Sequence, residues 1–195
     1  MAERARIQAD RPRLEAALER LPEGGIALVA GGAGYGKSSA VAAWSTRQRG
    51  ATRWIRSSRG LPDALRLAYD EDDGVRLPRL ARAARRGSTP GECAAALIAD
   101  LAAPHANLTL VIDDADALAA DLAGCEFLRR VAERDPDPSR VILVGRRTTP
   151  LRLAVAQSKR VVLEIGAPDL RISPLQTRQI AESRGWQGSG SELEL

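Results

Sequence analysis

A doubly wound α/β fold, with a five-stranded, mostly parallel sheet and helices on both faces, is predicted by three observations on this 195-residue chain. Short apolar runs alternate with helix-like segments. The run Ile26-Ala27-Leu28-Val29-Ala30 ends in a glycine-rich loop that opens a helix, and the run Leu108 to Ile112 ends in adjacent carboxylates, Asp113 and Asp114. Uninterrupted apolar runs suit strands buried on both faces, which is how parallel sheets are built.

The length allows one α/β domain with a sizeable core. Hydrophobic residues make up 44% and aromatic residues only 3%, so Leu, Val, Ile and Ala must fill that core. The formal charge of +4 and pI near 9.7 come from arginine, since Lys37 and Lys159 are the only lysines. Such a skew reflects composition more than partner chemistry, so the basic pI is weak support for a nucleic-acid partner. Cys93 and Cys125 form no CxxC pair and fall on predicted helices. They fit two packed thiols in a reducing compartment better than a metal site or a disulfide. His105 stands alone in a predicted loop, which argues against a zinc centre. Met1 to Arg6 carries charge with no apolar run behind it, and no segment approaches the length of a membrane span. A cytoplasmic location without a membrane partner is expected.

Residues 1–22 are read as a lead helix. Arg11-Pro12-Arg13-Leu14 opens it, Leu14, Leu18 and Leu21 share a face, and Pro22-Glu23-Gly24-Gly25 ends it. Residues 23–185 form the main domain, beginning with the strand Ile26–Ala30. Gly31-Gly32-Ala33-Gly34-Tyr35-Gly36-Lys37-Ser38 then reads as a full phosphate-binding loop. Its glycines let the backbone wrap an anion and turn successive N–H groups inward, and the helix opened by Ser39-Ala40-Val41-Ala42-Ala43-Trp44 aims its positive dipole end at the same place. Gly31, Gly32, Ala33, Gly34, Tyr35, Gly36 and Ser39 are candidate nucleotide contacts. Lys37 reaches the β- and γ-phosphates, and the Ser38 hydroxyl completes a magnesium shell. ATP or ADP with Mg2+ is the expected ligand set, and the fold class sharpens to a P-loop NTPase.

Ala51 to Arg56 is a second strand of mixed burial, as at a sheet edge. Helical segments follow at Leu61 to Tyr69, Leu77 to Arg86 and Thr89 to Ala103, the last with a threonine cap and proline at the first helical position. Asp70-Glu71-Asp72-Asp73-Gly74 lacks regular metal-ligand spacing and reads as a solvated turn. Arg79, Arg82, Arg85 and Arg86 fall near one another on a helix. Without aromatic stacking partners or a helix-turn-helix, they read as a solvated face in preference to a DNA-binding one.

A parallel sheet delivers the ends of its strands to one edge, so the carboxylates after Ile112 arrive on the side of the phosphate loop. Asp113 would hold magnesium through water, and Asp114 would orient or deprotonate the attacking water. The competing reading is a helix cap, for which Asp is well suited. Val141-Ile142-Leu143-Val144-Gly145 is a further buried strand ending at Arg146, a candidate γ-phosphate contact or else a surface arginine. Arg160 to Ile165 is the last strand. Ser173-Pro174-Leu175-Gln176 opens a helix running to about Arg184, and residues 186–195 resemble a linker.

Together these segments resemble the nucleotide-binding module of the MalT-like, LuxR-type STAND ATPases, bacterial transcription regulators of AAA+-like architecture that use ATP as a switch. Arg11-Pro12-Arg13-Leu14 resembles the family's RxRL element, which adds Arg11 to the nucleotide-binding set. Gly34-Tyr35-Gly36-Lys37-Ser38 resembles its GYGK[ST] loop, and Trp44 the tryptophan that follows. Arg53-Trp54-Ile55, Val111 to Asp116, Val144-Gly145-Arg146 and Asp169-Leu170-Arg171-Ile172-Ser173 resemble its second strand, acidic strand, arginine sensor and closing element. Arg56-Ser57-Ser58-Arg59 departs from the family's acidic stretch. The chain also stops where the family continues into a winged helix, a helical arm and a DNA-binding domain. The resemblance implies a slow, switch-like ATPase that self-associates with nucleotide only in a full-length protein, with no direct DNA binding from these residues. Two other classes stay open: a P-loop enzyme such as a small-molecule kinase, and a non-catalytic interaction module loaded with nucleotide.

Overall fold

The computed structural model describes residues 11–48, 50–57, 77–103, 108–118, 120, 122–133, 138–146 and 162–183. The expected Leu61 to Tyr69 helix, the acidic turn at 70–74, His105 and the 186–195 segment lie outside them. Five strands, β1 (Ile26–Ala30), β2 (Ala51–Arg56), β3 (Leu108–Asp113), β4 (Arg140–Gly145) and β5 (Val162–Ile165), form one sheet in the order β2-β3-β4-β1-β5. Every pairing is parallel. The expectation of a mostly parallel sheet is therefore met in full among the described strands.

Seven helices complete the described chain: α1 (Pro12–Glu19), α2 (Lys37–Thr46), α3 (Pro78–Arg85), α4 (Pro90–Leu101), α5 (Ala115–Leu118), α6 (Leu122–Glu133) and α7 (Pro174–Ser183). Successive strand residues point to opposite faces. Ala27, Val29, Val111, Ile142 and Val144 pack under α1 and α2 with Leu14, Leu18, Val41 and Trp44. Ile26, Leu28, Leu110, Ile112, Val141 and Leu143 pack on the other face with Leu80, Leu97, Phe127 and Val131 from α3, α4 and α6. Removing each such Val, Leu, Ile or Phe side chain from water contributes about 1.5–3 kcal/mol, which is what holds helices on both faces. The face shared by Leu14 and Leu18 is the one the lead helix buries, joined by Leu21 just past its end.

Helix starts follow the expected chemistry with one addition. Thr89 caps α4 through a capping box: its hydroxyl accepts from Glu92 N at 3.4 Å, and the Glu92 carboxylate accepts from Thr89 N at 2.7 Å. The start of α3 is capped from α4 instead. Buried Asp100 accepts the backbone N–H groups of Arg79 (3.1 Å) and Leu80 (3.0 Å). Arg79 also donates its guanidinium to Ala99 O at 3.0 Å. Cys93 is buried, and burial pushes its thiol pKa up. Cys125 is exposed on α6, so the expectation of two packed thiols holds for only one: the apolar stripe of α6 runs through Phe127, Leu128 and Val131 and leaves position 125 outward.

Candidate functional site

The parallel sheet places the C-terminal ends of β1, β3 and β4 side by side, and the candidate residues collect there. The turn out of β1 is built from backbone. Gly34 and Gly36 have φ of +80° and +71°, a conformation that costs other L-residues roughly 1–2 kcal/mol. Gly36 is the residue before α2, so the first N–H groups of that helix, beginning at Lys37, have no intrahelical acceptor and face the loop. Nothing lies within 4 Å of where a Gly34 Cβ would stand. Lys37 arches over the loop, its Nζ donating to Gly31 O at 2.9 Å and Gly32 O at 2.8 Å. The Tyr35 ring lies against Gly31 and Gly32, close enough that a Cβ on Gly32 would meet it at 3.1 Å.

Arg11 braces this loop from the protein side. It is 9% exposed, and its guanidinium donates to Leu170 O and, at 3.3 Å, to Tyr35 O. Burial pulls its pKa below the ordinary arginine value, and two carbonyl acceptors hold the charge in place. Leu170 reaches the loop as well, its Cδ1 3.0 Å from a Cβ built on Gly31. The described placement of Arg11, among the expected nucleotide contacts, is thus as a support to the Tyr35–Gly36 backbone.

The turn out of β3 is built from side chains. Ser38 Oγ donates to Asp113 Oδ1 at 2.8 Å, joining residues 75 apart in sequence. Asp113 is buried, its Oδ1 also accepts the Asp114 N–H at 3.1 Å, and its Oδ2 faces Arg56 Nη2 at 3.8 Å. Asp114 is exposed and takes φ of +56°, a left-handed conformation that Asp tolerates better than most residues. Buried Ser57 secures it: its N–H donates to Asp113 O at 3.0 Å, and its hydroxyl lies 2.8 Å from Asp113 O and 2.7 Å from Asp114 O.

Arg146 follows the last residue of β4. Gly31 N donates to Gly145 O at 3.3 Å, which sets Arg146 beside the start of the phosphate loop. Its own N–H donates to Asp116 Oδ2 at 2.5 Å, and the Asp116 carboxylate packs on Gly145 so closely that a Cβ there would meet Oδ1 at 2.9 Å. Arg146 is exposed. Ser38 and Asp113 are therefore brought into direct bonding range, Lys37 is held on the loop carbonyls, and Asp114 and Arg146 are set at the same edge. Ser39 is exposed on the first turn of α2.

Ser57, Arg56 and Asp116 complete the arrangement and were not singled out as site residues. Arg56 and Ser57 end the edge strand, and only its register with β3 brings them to the acidic turn. The sole signal in the sequence was the basic run at Arg56 where the resemblance called for acid.

The order β2-β3-β4-β1-β5, with the phosphate loop leaving a strand flanked by β4 and β5, can be set beside known proteins. No protein-family model matches the chain, and no curated protein matches it. Among solved structures, it is similar to the Aeropyrum pernix ORC1 protein in complex with DNA, at 19% identity over 90% of this chain and 47% of that one, with a TM-score of 0.53. The fold is that of the AAA+ P-loop NTPases. The Aeropyrum pernix ORC2 protein, ADP form, is also similar, at 16% identity over 88% of this chain and 50% of that one, with a TM-score of 0.49. The chain spans about half the length of these structures.

These findings overturn the resemblance to the MalT-like STAND regulators. The structure matched at a TM-score of 0.53 is an ORC protein, and no family model supports the bacterial one. The short RxRL and LRIS elements are too brief to fix a family. Transcription regulation goes with that correction. Among the described residues no helix is long and apolar enough to cross a membrane.

Proposed function

We propose that this chain is a magnesium-dependent ATP-binding module of AAA+ type, a slow ATPase whose bound nucleotide governs the behaviour of a larger assembly. The observation that carries it is the 2.8 Å bond from Ser38 to Asp113, which unites the hydroxyl and carboxylate needed at a phosphate-bound metal. The donor set fits magnesium: hard oxygens from one hydroxyl and one carboxylate, to which waters and phosphate oxygens would add. Ser38 and Asp113 would hold the ion. Bound there, it would neutralise charge building on the phosphates.

The chain's own residues supply the rest. The N–H groups at the end of the loop and the start of α2 would cradle the phosphates, and Lys37 would exchange its two carbonyl acceptors for the β- and γ-phosphate oxygens. Asp114, exposed at the same edge, is the candidate to orient or deprotonate water. Arg146 is the candidate contact to the γ-phosphate. A fast rate needs a further arginine from a neighbouring subunit or domain, which supports slow turnover by the chain alone. Direct DNA contact is not part of this reading. The ORC1 structure is in complex with DNA, but Arg79, one of the four clustered arginines, is engaged by Asp100 and Ala99.

Calorimetric titration of ATP and ADP, with Mg2+ and with chelator, tests the proposal. Mass spectrometry of nucleotide released from the purified protein complements it. Tight binding of either nucleotide, strengthened by Mg2+, is expected; a folded protein that binds neither would end the reading. A small-molecule kinase would instead show faster ADP production on addition of a phosphoryl acceptor.

A further inference from the structure

The two oxygens of Asp113 face different partners. Oδ1 accepts from Ser38 and from the Asp114 N–H, whereas Oδ2 faces the Arg56 guanidinium at 3.8 Å. Arg56 is the last residue of β2 and lies opposite Asp113 in the parallel ladder. Its side chain is 69% exposed and that of Asp113 only 10%. A solvated cation on a long stem therefore leans against a carboxylate that is almost out of water. The backbone beneath Arg56 is held, because the next residue, Ser57, bonds through both its N–H and its hydroxyl to the end of β3. Strand register and the Ser57 bonds together keep this arginine within reach of the acidic turn.

Neither the phosphate loop nor the acidic pair accounts for a cation at this place. The geometry points to Arg56 as a cis arginine that competes with Mg2+ for Asp113, and so sets how much Mg2+ the nucleotide complex requires. The assignment rests on the reading of Asp113 as the metal carboxylate. Its sign follows from charge. Arg56 stabilises the carboxylate in the metal-free protein and repels an incoming divalent cation, while it attracts the phosphates of a nucleotide that arrives without metal. Removing the guanidinium therefore has opposite effects on two measurements: Mg2+ binds more tightly, and metal-free nucleotide binds more weakly. A loosened strand end would weaken both. Exposed ion pairs contribute up to about 1 kcal/mol, so the change in Mg2+ requirement is up to about five-fold.

The test uses the full chain as wild type, Arg56→Lys, Arg56→Gln and Arg56→Glu. Mg2+ is titrated calorimetrically at fixed ADP, and ADP is titrated separately in chelator. Arg56→Lys is expected to resemble wild type. Arg56→Gln lowers the Mg2+ concentration for half-saturation by up to about five-fold and weakens metal-free ADP by a similar factor, Arg56→Glu goes further in both, and the differences shrink at about 0.5 M salt. In an Asp113→Asn background the Arg56→Gln effect on Mg2+ disappears. Unchanged Mg2+ half-saturation in Arg56→Gln and Arg56→Glu, or weakening in both titrations, overturns the assignment. Failure of folded wild type to bind ADP in either titration overturns the nucleotide-site reading and this assignment with it. That outcome is visible before any variant is compared.

Discussion

The turn after β1 and the turn after β3 stand at the same sheet edge and meet through the Ser38–Asp113 hydrogen bond, yet they are built by opposite means. The first holds its shape with backbone: two glycines at positive φ, a helix start, and carbonyls that accept Lys37 and Arg11. The second holds its shape with side chains: Ser57 gripping two carbonyls, Asp113 bonded to Ser38, and Asp116 holding the Arg146 N–H. Almost everything the first turn needs lies within eight contiguous positions. The second draws on β2, α2 and β4. A turn made of backbone is therefore sensitive to added Cβ atoms, and one made of side chains is sensitive to lost hydroxyls and carboxylates.

Lys37→Ala gives the largest effect, because it removes the ammonium held on the carbonyls of the backbone-built turn. Charge-assisted hydrogen bonds contribute about 1.5–3 kcal/mol, so ATP affinity is expected to fall by about ten- to a hundredfold or more in calorimetry while circular dichroism stays unchanged. Undiminished affinity in a folded variant would remove the loop from the site.

In the side-chain-built turn, neighbouring carboxylates should separate. Asp114→Asn keeps the left-handed conformation, which Asn tolerates, and is expected to bind Mg-ATP normally while turnover drops by about a hundredfold. Asp113→Asn should instead blunt the Mg2+ dependence of binding, read by titration with and without chelator. If both variants bind and hydrolyse like wild type, the acidic pair is a cap only.

The next two variants compare the turns through stability. Gly36→Ala forces a Cβ into positive φ and to 2.8 Å from Arg11 Nη2. A loss of about 1–2 kcal/mol in urea unfolding is expected, with weakened ATP binding as the loop shifts. Ser57→Ala leaves the carbonyls of Asp113 and Asp114 without their hydroxyl donor, for a loss of about 1 kcal/mol. If Gly36→Ala were neutral and Ser57→Ala severe, the division between backbone and side-chain construction would be wrong.

The smallest effect lies away from both turns. Glu126 on α6 bonds Arg129 and Arg130, which bring its pKa down to about 2. A carboxylate lowered in the folded state stabilises above its unfolded pKa, and that contribution is lost as pH falls through the folded value. Glu126→Gln should therefore lower the midpoint of thermal unfolding slightly near neutral pH, and the gap from wild type should close between about pH 4.5 and pH 2. A gap that widened in acid would contradict the assignment.

The sequence by itself determined the strands and the contiguous half of the candidate site. Ile26–Ala30 and Val141–Gly145 could be read as strands because their apolar runs are unbroken. Lys37 and Ser38 could be read as candidate ligand residues because a phosphate loop needs only local geometry. Asp113 and Asp114 were legible from their place at the end of an apolar run. Tertiary structure alone decided the strand order, and with it which ends adjoin. A parallel ladder fixes neighbours by side-chain packing on two faces, and those contacts are spread across the whole chain. It placed Arg56 opposite Asp113, set Ser57 under the acidic turn, and gave Asp116 to Arg146. Each of those residues is an ordinary polar side chain until a strand 50 or more positions away, or a turn 30 away, supplies its partner.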